Sequence, residues 1–194
     1  HYRLMTDLHE RLQGKISDPG LAEASVGNLG SAYYRMGQLQ RAIGCFEQAL
    51  HLAQEHNHRW NEASWLGNLG ACIADLGQHA RAIEYHEQAL EIHREVGDRR
   101  GESADLANLS IQYAQSGEVA RSIAYCQQAL AIAREVGDRG NEANDLCELG
   151  DRHADLGHSA EALSSYKDAL AIARDIGYRL IEANVHVGMG HLYL

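Results

Sequence analysis

The stretch from Gly67 to Arg99 reads GNLGACIADLGQHARAIEYHEQALEIHREVGDR, and a shift of 40 residues in either direction finds it again. Gly70 has counterparts at Gly30, Gly150 and Gly190, and Gly77 recurs at Gly37, Gly117 and Gly157. Ala89-Leu90 returns at Ala49-Leu50, Ala129-Leu130 and Ala169-Leu170, and Arg99 at Arg59, Arg139 and Arg179. Repetition at this period is the mark of a solenoid, in which each copy buries its apolar face only against its neighbours. A chain built this way is a scaffold for binding, and its sequence does not name what is bound.

Composition narrows the classes. A single Pro among 19 Gly calls for long uninterrupted helices punctuated by turns. The formal charge is −10 with 12 His held neutral, which argues against nucleic-acid phosphate and acidic membrane surfaces as partners, because both draw on clustered Lys and Arg. No apolar run approaches the roughly 20 residues of a membrane span, and no signal peptide opens the chain. Cys45, Cys72, Cys126 and Cys147 show no CxxC spacing and read as small, reduced, buried hydrophobes, so the expected compartment is cytoplasmic. The chain opens at His1 and stops inside a helical pattern, the signature expected of a fragment of something longer.

Taken in order, Leu4, Leu8 and Leu12 form the stripe of an amphipathic helix over His1 to Gln13, which Gly14 ends. Asp18-Pro19 reads as N-cap and first helical residue. Each following unit has two helices. The first pair spans about Pro19 to Met36 and Leu39 to His56, the next 60–76 and 79–96, then 100–116 and 119–136, then 140–156 and 159–176. A last first-helix begins near Leu180. The implied division is a degenerate helix and turn over 1–18, repeats at 19–59, 60–99, 100–139 and 140–179, and a truncated fifth over 180–194. Gly37 closes one helix in the left-handed region, and Asn57 takes the place held by Gly97, Gly137 and Gly177, because Asn also tolerates that conformation. Gly27, Gly30, Gly67, Gly70, Gly150 and Gly190 fall inside helices, where each costs about 1 kcal/mol relative to Ala. Their recurrence predicts close approach of the second helix to a first helix lacking a side chain there, with Ser110 as the nearest larger substitute.

Within a unit, Val26, Leu29, Gly30 and Tyr33, followed by Ala42, Phe46 and Ala49, resemble the tetratricopeptide repeat. The second unit matches with Leu66, Leu69, Gly70, Ile73, Ala82, His86 and Ala89; the third with Leu106, Leu109, Ser110, Tyr113, Ser122, Cys126 and Ala129. The fourth matches with Leu146, Leu149, Gly150, His153, Ala162, Tyr166 and Ala169. The usual period of that family is 34 residues, with a Pro late in the second helix; here Gln54, Arg94, Arg134 and Arg174 stand there and six residues are added, so the second helix should run longer. This longer variety resembles the repeats of spindle-orientation adaptors, kinesin light chains and the sensor arrays of bacterial signalling ATPases. The resemblance implies an all-α, right-handed α-solenoid of antiparallel helix pairs, its first helices lining a concave groove. It places Asn28, Asn68 and Asn108 in that groove, where the family's Asn grips the backbone of an extended peptide through its amide.

Other chemistry is weaker. The family members that clamp two carboxylates use Lys and Arg at places held here by Gly27, Gly67, Ala107, Cys147 and Glu148, so that specialisation is not expected. His86-Glu87 opens a zinc-protease-like string, but the second His would be required where Leu90 stands, and His86 reads as a packed core residue. His56 and His58 read as solvated turn residues and His153 as structural. No catalytic residue, metal or cofactor is expected.

Charge is uneven along the chain. Unit 20–59 is neutral, 60–99 carries three Lys and Arg against seven Asp and Glu, 100–139 is −1, and 140–179 has four against eight. Glu148, Asp151 and Asp155 follow one helical face. The expected function is a non-catalytic module binding a protein or peptide segment in the groove, read by Asn28, Asn68 and Asn108. Tyr34 and Arg35 mark the first unit, Ile111 and Gln115 the third, and Glu148, Asp151 and Asp155 the fourth, so the partner should be basic at one end. The alternative is a sensor array of a larger signalling ATPase or protease acting by intramolecular contact. Met189, Leu192, Tyr193 and Leu194, on a helix with no successor, are expected to stack end to end on another copy or to fray.

Overall fold

Residues 18–192 are described in a computed structural model of the chain. Residues 1–17, where a helix is expected over His1 to Gln13, and Tyr193 and Leu194 lie outside the described residues. Nine helices make up 86% of what is described, with no strand among those residues. They are α1 (Pro19–Arg35), α2 (Leu39–Glu55), α3 (Arg59–Asp75), α4 (His79–Val96), α5 (Arg99–Gln115), α6 (Val119–Glu135), α7 (Arg139–Asp155), α8 (Ser159–Ile176) and α9 (Arg179–His191). The fold class is the expected one, antiparallel helix pairs of an α-solenoid; the first eight helices begin and end within a residue of their expected bounds, and the ninth begins within one. The chain divides into two compact units, one ending at Gly101 and the other beginning at Glu102.

Local chemistry sets the ends. Asp18 accepts from the Leu21 amide at 2.9 Å ahead of Pro19, and Asp138 accepts from the Asn141 amide at 3.0 Å. Asn57 takes φ 56°, a left-handed value close to the 72° of Gly97. Three of the positions where the family's Pro would stand carry a polar tie to the following helix. Gln54 Nε2 donates to Glu62 at 3.1 Å, Arg134 Nε to Glu142 at 3.0 Å, and Arg174 lies 4.0 Å from Glu182. Such exposed contacts contribute about 0–1 kcal/mol each. They tie a longer second helix to its successor where a Pro would have stopped it.

Packing explains three of the mid-helix glycines as expected. A Cβ at Gly30 would meet the Phe46 ring at 2.8 Å, one at Gly70 the His86 ring at 2.7 Å, and one at Gly150 the Tyr166 ring at 2.5 Å. In each case a second-helix ring lies on a bare first-helix backbone. His86 is 1% exposed and fills the aromatic place, as its register implied. Where Ser110 replaces Gly, the ring is replaced by Cys126, and Ser110 Oγ donates to the Ser122 carbonyl at 2.9 Å. Gly27 departs from the expectation: its neighbour is Trp65 on the next first-helix, not a second-helix residue. At Gly190 no atom of the described residues lies within 4 Å of an added Cβ.

In the first unit Ala42, Phe46, Leu69 and Cys72 form one buried cluster and Ala63, Leu66, Ala89 and Ile92 another. Glu23, fully buried, accepts from Trp65 Nε1 at 2.8 Å and lies 2.8 Å from His58 Nδ1. His58 is therefore half-buried and paired, not the solvated turn residue its position suggested. In the second unit a larger cluster includes Leu146, Leu149, Tyr166, Ile181 and Val185, and Met189 and Leu192 pack against it. Both are partly buried, and the exposed large apolar residues of α9 are Leu180 and Val187. Gly70→Leu is expected to lower stability by about 1–3 kcal/mol through overpacking against His86. Thermal melting checks this, and an unchanged transition would show that the ring does not need the bare backbone.

Candidate functional site

The expected site residues divide between the units. In the first, Asn28 and Arg35 are exposed and Asn68 is half-buried. Tyr34 is half-buried beside the Phe46 cluster and shares a hydrogen bond with Asp75; burial, then that bond, pushes its hydroxyl up to about 12. Tyr34 is thus largely committed to packing. In the second unit Asn108 is half-buried, while Ile111 and Gln115 are exposed. Asn28, Asn68 and Asn108 share one register, which in the next repeat is held by Glu148.

The second unit brings four of the expected residues to one cavity of about 840 Å³: Ile111 from α5 and Glu148, Asp151 and Asp155 from α7. Asn108 and Gln115 are not part of its wall. Helical spacing explains the acidic side, since Asn141, Asp145, Glu148, Arg152 and Asp155 lie on one stripe of α7 at three- and four-residue steps. Tyr166 lies across from it on α8 and donates its hydroxyl to Asp151 at 2.6 Å. From α9 come Ile181, Asn184 and Val187.

Two cavity residues, Asp145 and Arg152, were not singled out by sequence. Asp145 is 3% exposed, and its Oδ2 is buried without a hydrogen-bond partner. Burial first, then the Glu148 and Asp138 charges, push this carboxyl from 3.8 up to about 7. Glu148 is also raised, chiefly by burial, with Arg152 opposing and Asp151 and Asp155 adding to the shift. Arg152 carries the side wall's positive charge, with Nε 3.4 Å from Asp155 Oδ2. The thiols of Cys126 and Cys147 are held up by burial and by these carboxylates, Cys147 to about 12, so neither is a ready nucleophile at neutral pH.

The register of the repeat explains the empty space. Asp145 stands two repeats on from Trp65, and Ala107 two repeats on from Gly27. In the first unit the indole of Trp65 lies on Gly27 and stacks with Phe46, ring centroids 6.1 Å apart. In the second unit the corresponding pair is a carboxylate and a methyl group, and both line the cavity. The signal was present in the sequence as Trp65, Asp105, Asp145 at equal spacing, but it falls outside the positions that define the repeat.

A sequence-family model described as tetratricopeptide repeat matches residues 21–95, 61–118 and 102–175. No curated protein matches the sequence significantly. Among solved structures, aspartyl phosphate phosphatase F from Bacillus subtilis superposes with a TM-score of 0.89 at 16% identity, over 95% of this chain and 48% of that one. The Rap conjugation gene regulator of plasmid pLS20, solved with the Phr* peptide, gives 0.83 at 16% identity over 96% and 51%. A signal transduction ATPase with a tetratricopeptide repeat sensor from Pyrococcus horikoshii gives 0.81 at 20% identity over 92% and 28%. The chain spans about half the length of the first two and less of the third. At these identities the likeness is one of fold.

Asp145 carries a stability cost that titrates. Its folded carboxyl keeps a proton up to about 7, whereas the unfolded one loses it near 3.8, so stability falls as pH rises between these values. Asp145→Asn is therefore expected to stabilise the protein at pH 8 by on the order of 2–4 kcal/mol, and by little at pH 4. Denaturant titrations at the two pH values check this; an equal effect at both would mean that the carboxylate is not held against its ionisation.

Proposed function

The chain belongs to the tetratricopeptide repeat family, and on that footing we propose that it is a non-catalytic module holding a peptide or helical segment of a protein partner. In this reading Asn28, Asn68 and Asn108 grip the partner's backbone, and Arg35, Ile111 and Gln115 supply contacts that differ between repeats. The cavity of the second unit receives the partner's basic end. The observation that carries the reading is the cavity itself: an apolar floor with Glu148, Asp151 and Asp155 on one helix face and a single guanidinium against them. The Phr* complex of the pLS20 regulator supports a peptide as the ligand class. A formal charge of −10 argues against nucleic acid and acidic membrane surfaces as partners. Among the described residues no helix is long and apolar enough to cross a membrane.

The repeat sensor of the Pyrococcus horikoshii ATPase favours a second reading, in which the same surface holds a segment of its own larger polypeptide. The chemistry of the contact is then unchanged and only its covalent context differs.

Selection from a random peptide library tests the proposal. Enriched sequences are expected to carry Lys or Arg at one end and apolar residues near the middle, and to bind more weakly as ionic strength rises. Glu148→Gln, Asp151→Asn and Asp155→Asn together should slow association by on the order of tenfold and flatten the salt dependence. A library with no enrichment would overturn the module reading. Unchanged affinity and salt slope in the triple variant would overturn the role of these carboxylates.

A further inference from the structure

We propose that the cavity of the second unit is a seat for a primary alkylammonium group, with Asp145 as its buried counter-charge. The inference rests on the reading of this cavity as the partner's basic-end site, and it adds the group bound and the residue that binds it. Asp145 is 3% exposed and lines the cavity, yet its Oδ2 meets no donor. Buried carboxylate oxygens are ordinarily satisfied, so an open one beside a cavity points to a donor that arrives with a ligand. Its Cys126 neighbour does not fill the role, because the thiol donates to the Asp145 backbone carbonyl at 3.2 Å.

The rest of the cavity decides what kind of cation fits. Asp145, Glu148 and Asp155 are spread over ten residues of α7, which at 1.5 Å per residue is about 15 Å. Among the described residues no three carboxylate, imidazole or thiol groups stand close enough to hold a metal ion. A row of spaced carboxylates suits an elongated cation better than a point ion. Arg152 lies 3.4 Å from Asp155 and its charge also acts on Glu148, which leaves Asp145 as the cavity carboxylate with an open oxygen. Ala107 and Ile111 from α5 and Ile181 and Val187 from α9 also line the cavity, apolar surface along which methylene groups can lie while the charged head reaches the carboxylates. A single open oxygen suits the compact ammonium, whereas a guanidinium presents paired N–H groups that call for two. The alkylammonium can come from a lysine side chain or from a free diamine or polyamine, since both present the same head on the same stem.

Calorimetric titration of the whole chain with small probes tests the seat without any partner. The probes are Nα-acetyl-lysine methylamide, cadaverine and spermidine, with the norleucine and arginine analogues of the first as controls. The amines should bind, the neutral norleucine analogue should not, and the arginine analogue should bind at least fivefold more weakly. Asp145→Asn should weaken amine binding at least tenfold, while Asp168→Asn, a charge change on exposed α8 surface away from the cavity, should leave it within twofold. Ala107→Leu gives the independent check, filling the apolar wall and abolishing binding with the Asp145 charge in place. Capped lysine binding in preference to the diamines identifies a side chain as the source, and the reverse identifies a free polyamine; either supports the seat. No amine binding, equal binding to Asp145→Asn, or equal binding of the arginine analogue would overturn it. Amine binding with no peptide enrichment would remove the module reading alone, and peptide enrichment without amine binding would remove the ammonium seat alone.

Discussion

A ring from the second helix lying on the bare backbone of the first is the contact on which three of the four repeats depend. Phe46 on Gly30, His86 on Gly70 and Tyr166 on Gly150 are versions of one arrangement, with rings of different chemistry in the same space. A mid-helix glycine costs about 1 kcal/mol of helix propensity. Burial of a large side chain contributes roughly 1.5–3 kcal/mol, enough to offset it. The third repeat shows that volume is what is conserved between partners: a larger Ser110 faces a smaller Cys126, and the added hydroxyl is satisfied by Ser122. Flanking alanines such as Ala42, Ala49, Ala82 and Ala89, all fully buried, keep the two helices close enough for the ring to be needed.

The same logic of paired volumes operates between successive first helices, and there it makes the site. Trp65 on Gly27 fills the space in the first unit, with Glu23 satisfying the indole N–H. Two repeats later the pair is Asp145 and Ala107, and neither is large enough to fill it. Val185 and Cys147, one step further, are both apolar and belong to the second unit's buried cluster. The cavity is thus a local exchange of bulk for charge within the second unit. The exchange is costly, because a carboxylate with a buried, unpartnered oxygen resists ionisation. Residues held against stability in a concave place are what a binding site requires.

Much of this was legible beforehand. The period, helix ends and ring-on-glycine pairs follow from Gly, Ala and aromatic positions that repeat, and repetition is visible without a structure. Glu148, Asp151 and Asp155 were legible as one face because helical spacing alone brings them together. Asp145 was not, because its significance lies in what it fails to fill, and a missing volume is seen only against Trp65. Tyr34 looked available for recognition, but Asp75 and the neighbouring cluster engage it. Gly27 was read as a second-helix contact from repetition alone. Its neighbour is instead Trp65 of the next first-helix, since equal register does not guarantee an equal neighbour.

The most direct measurement is the structure and ligand binding of the double variant Ala107→Gly, Asp145→Trp, which restores to the second unit the pair that fills the first. Ser103, in the register of Glu23, is buried on the adjoining turn of α5; its hydroxyl donates to the Ala129 carbonyl at 3.2 Å, so its oxygen is the acceptor for the new indole N–H. The expected result is a closed cavity, a melting temperature at or above that of the parent, and loss of binding to basic peptides and amines. A closed cavity with basic-peptide affinity unchanged would contradict the account, as would a variant that folds only with the indole expelled into solvent.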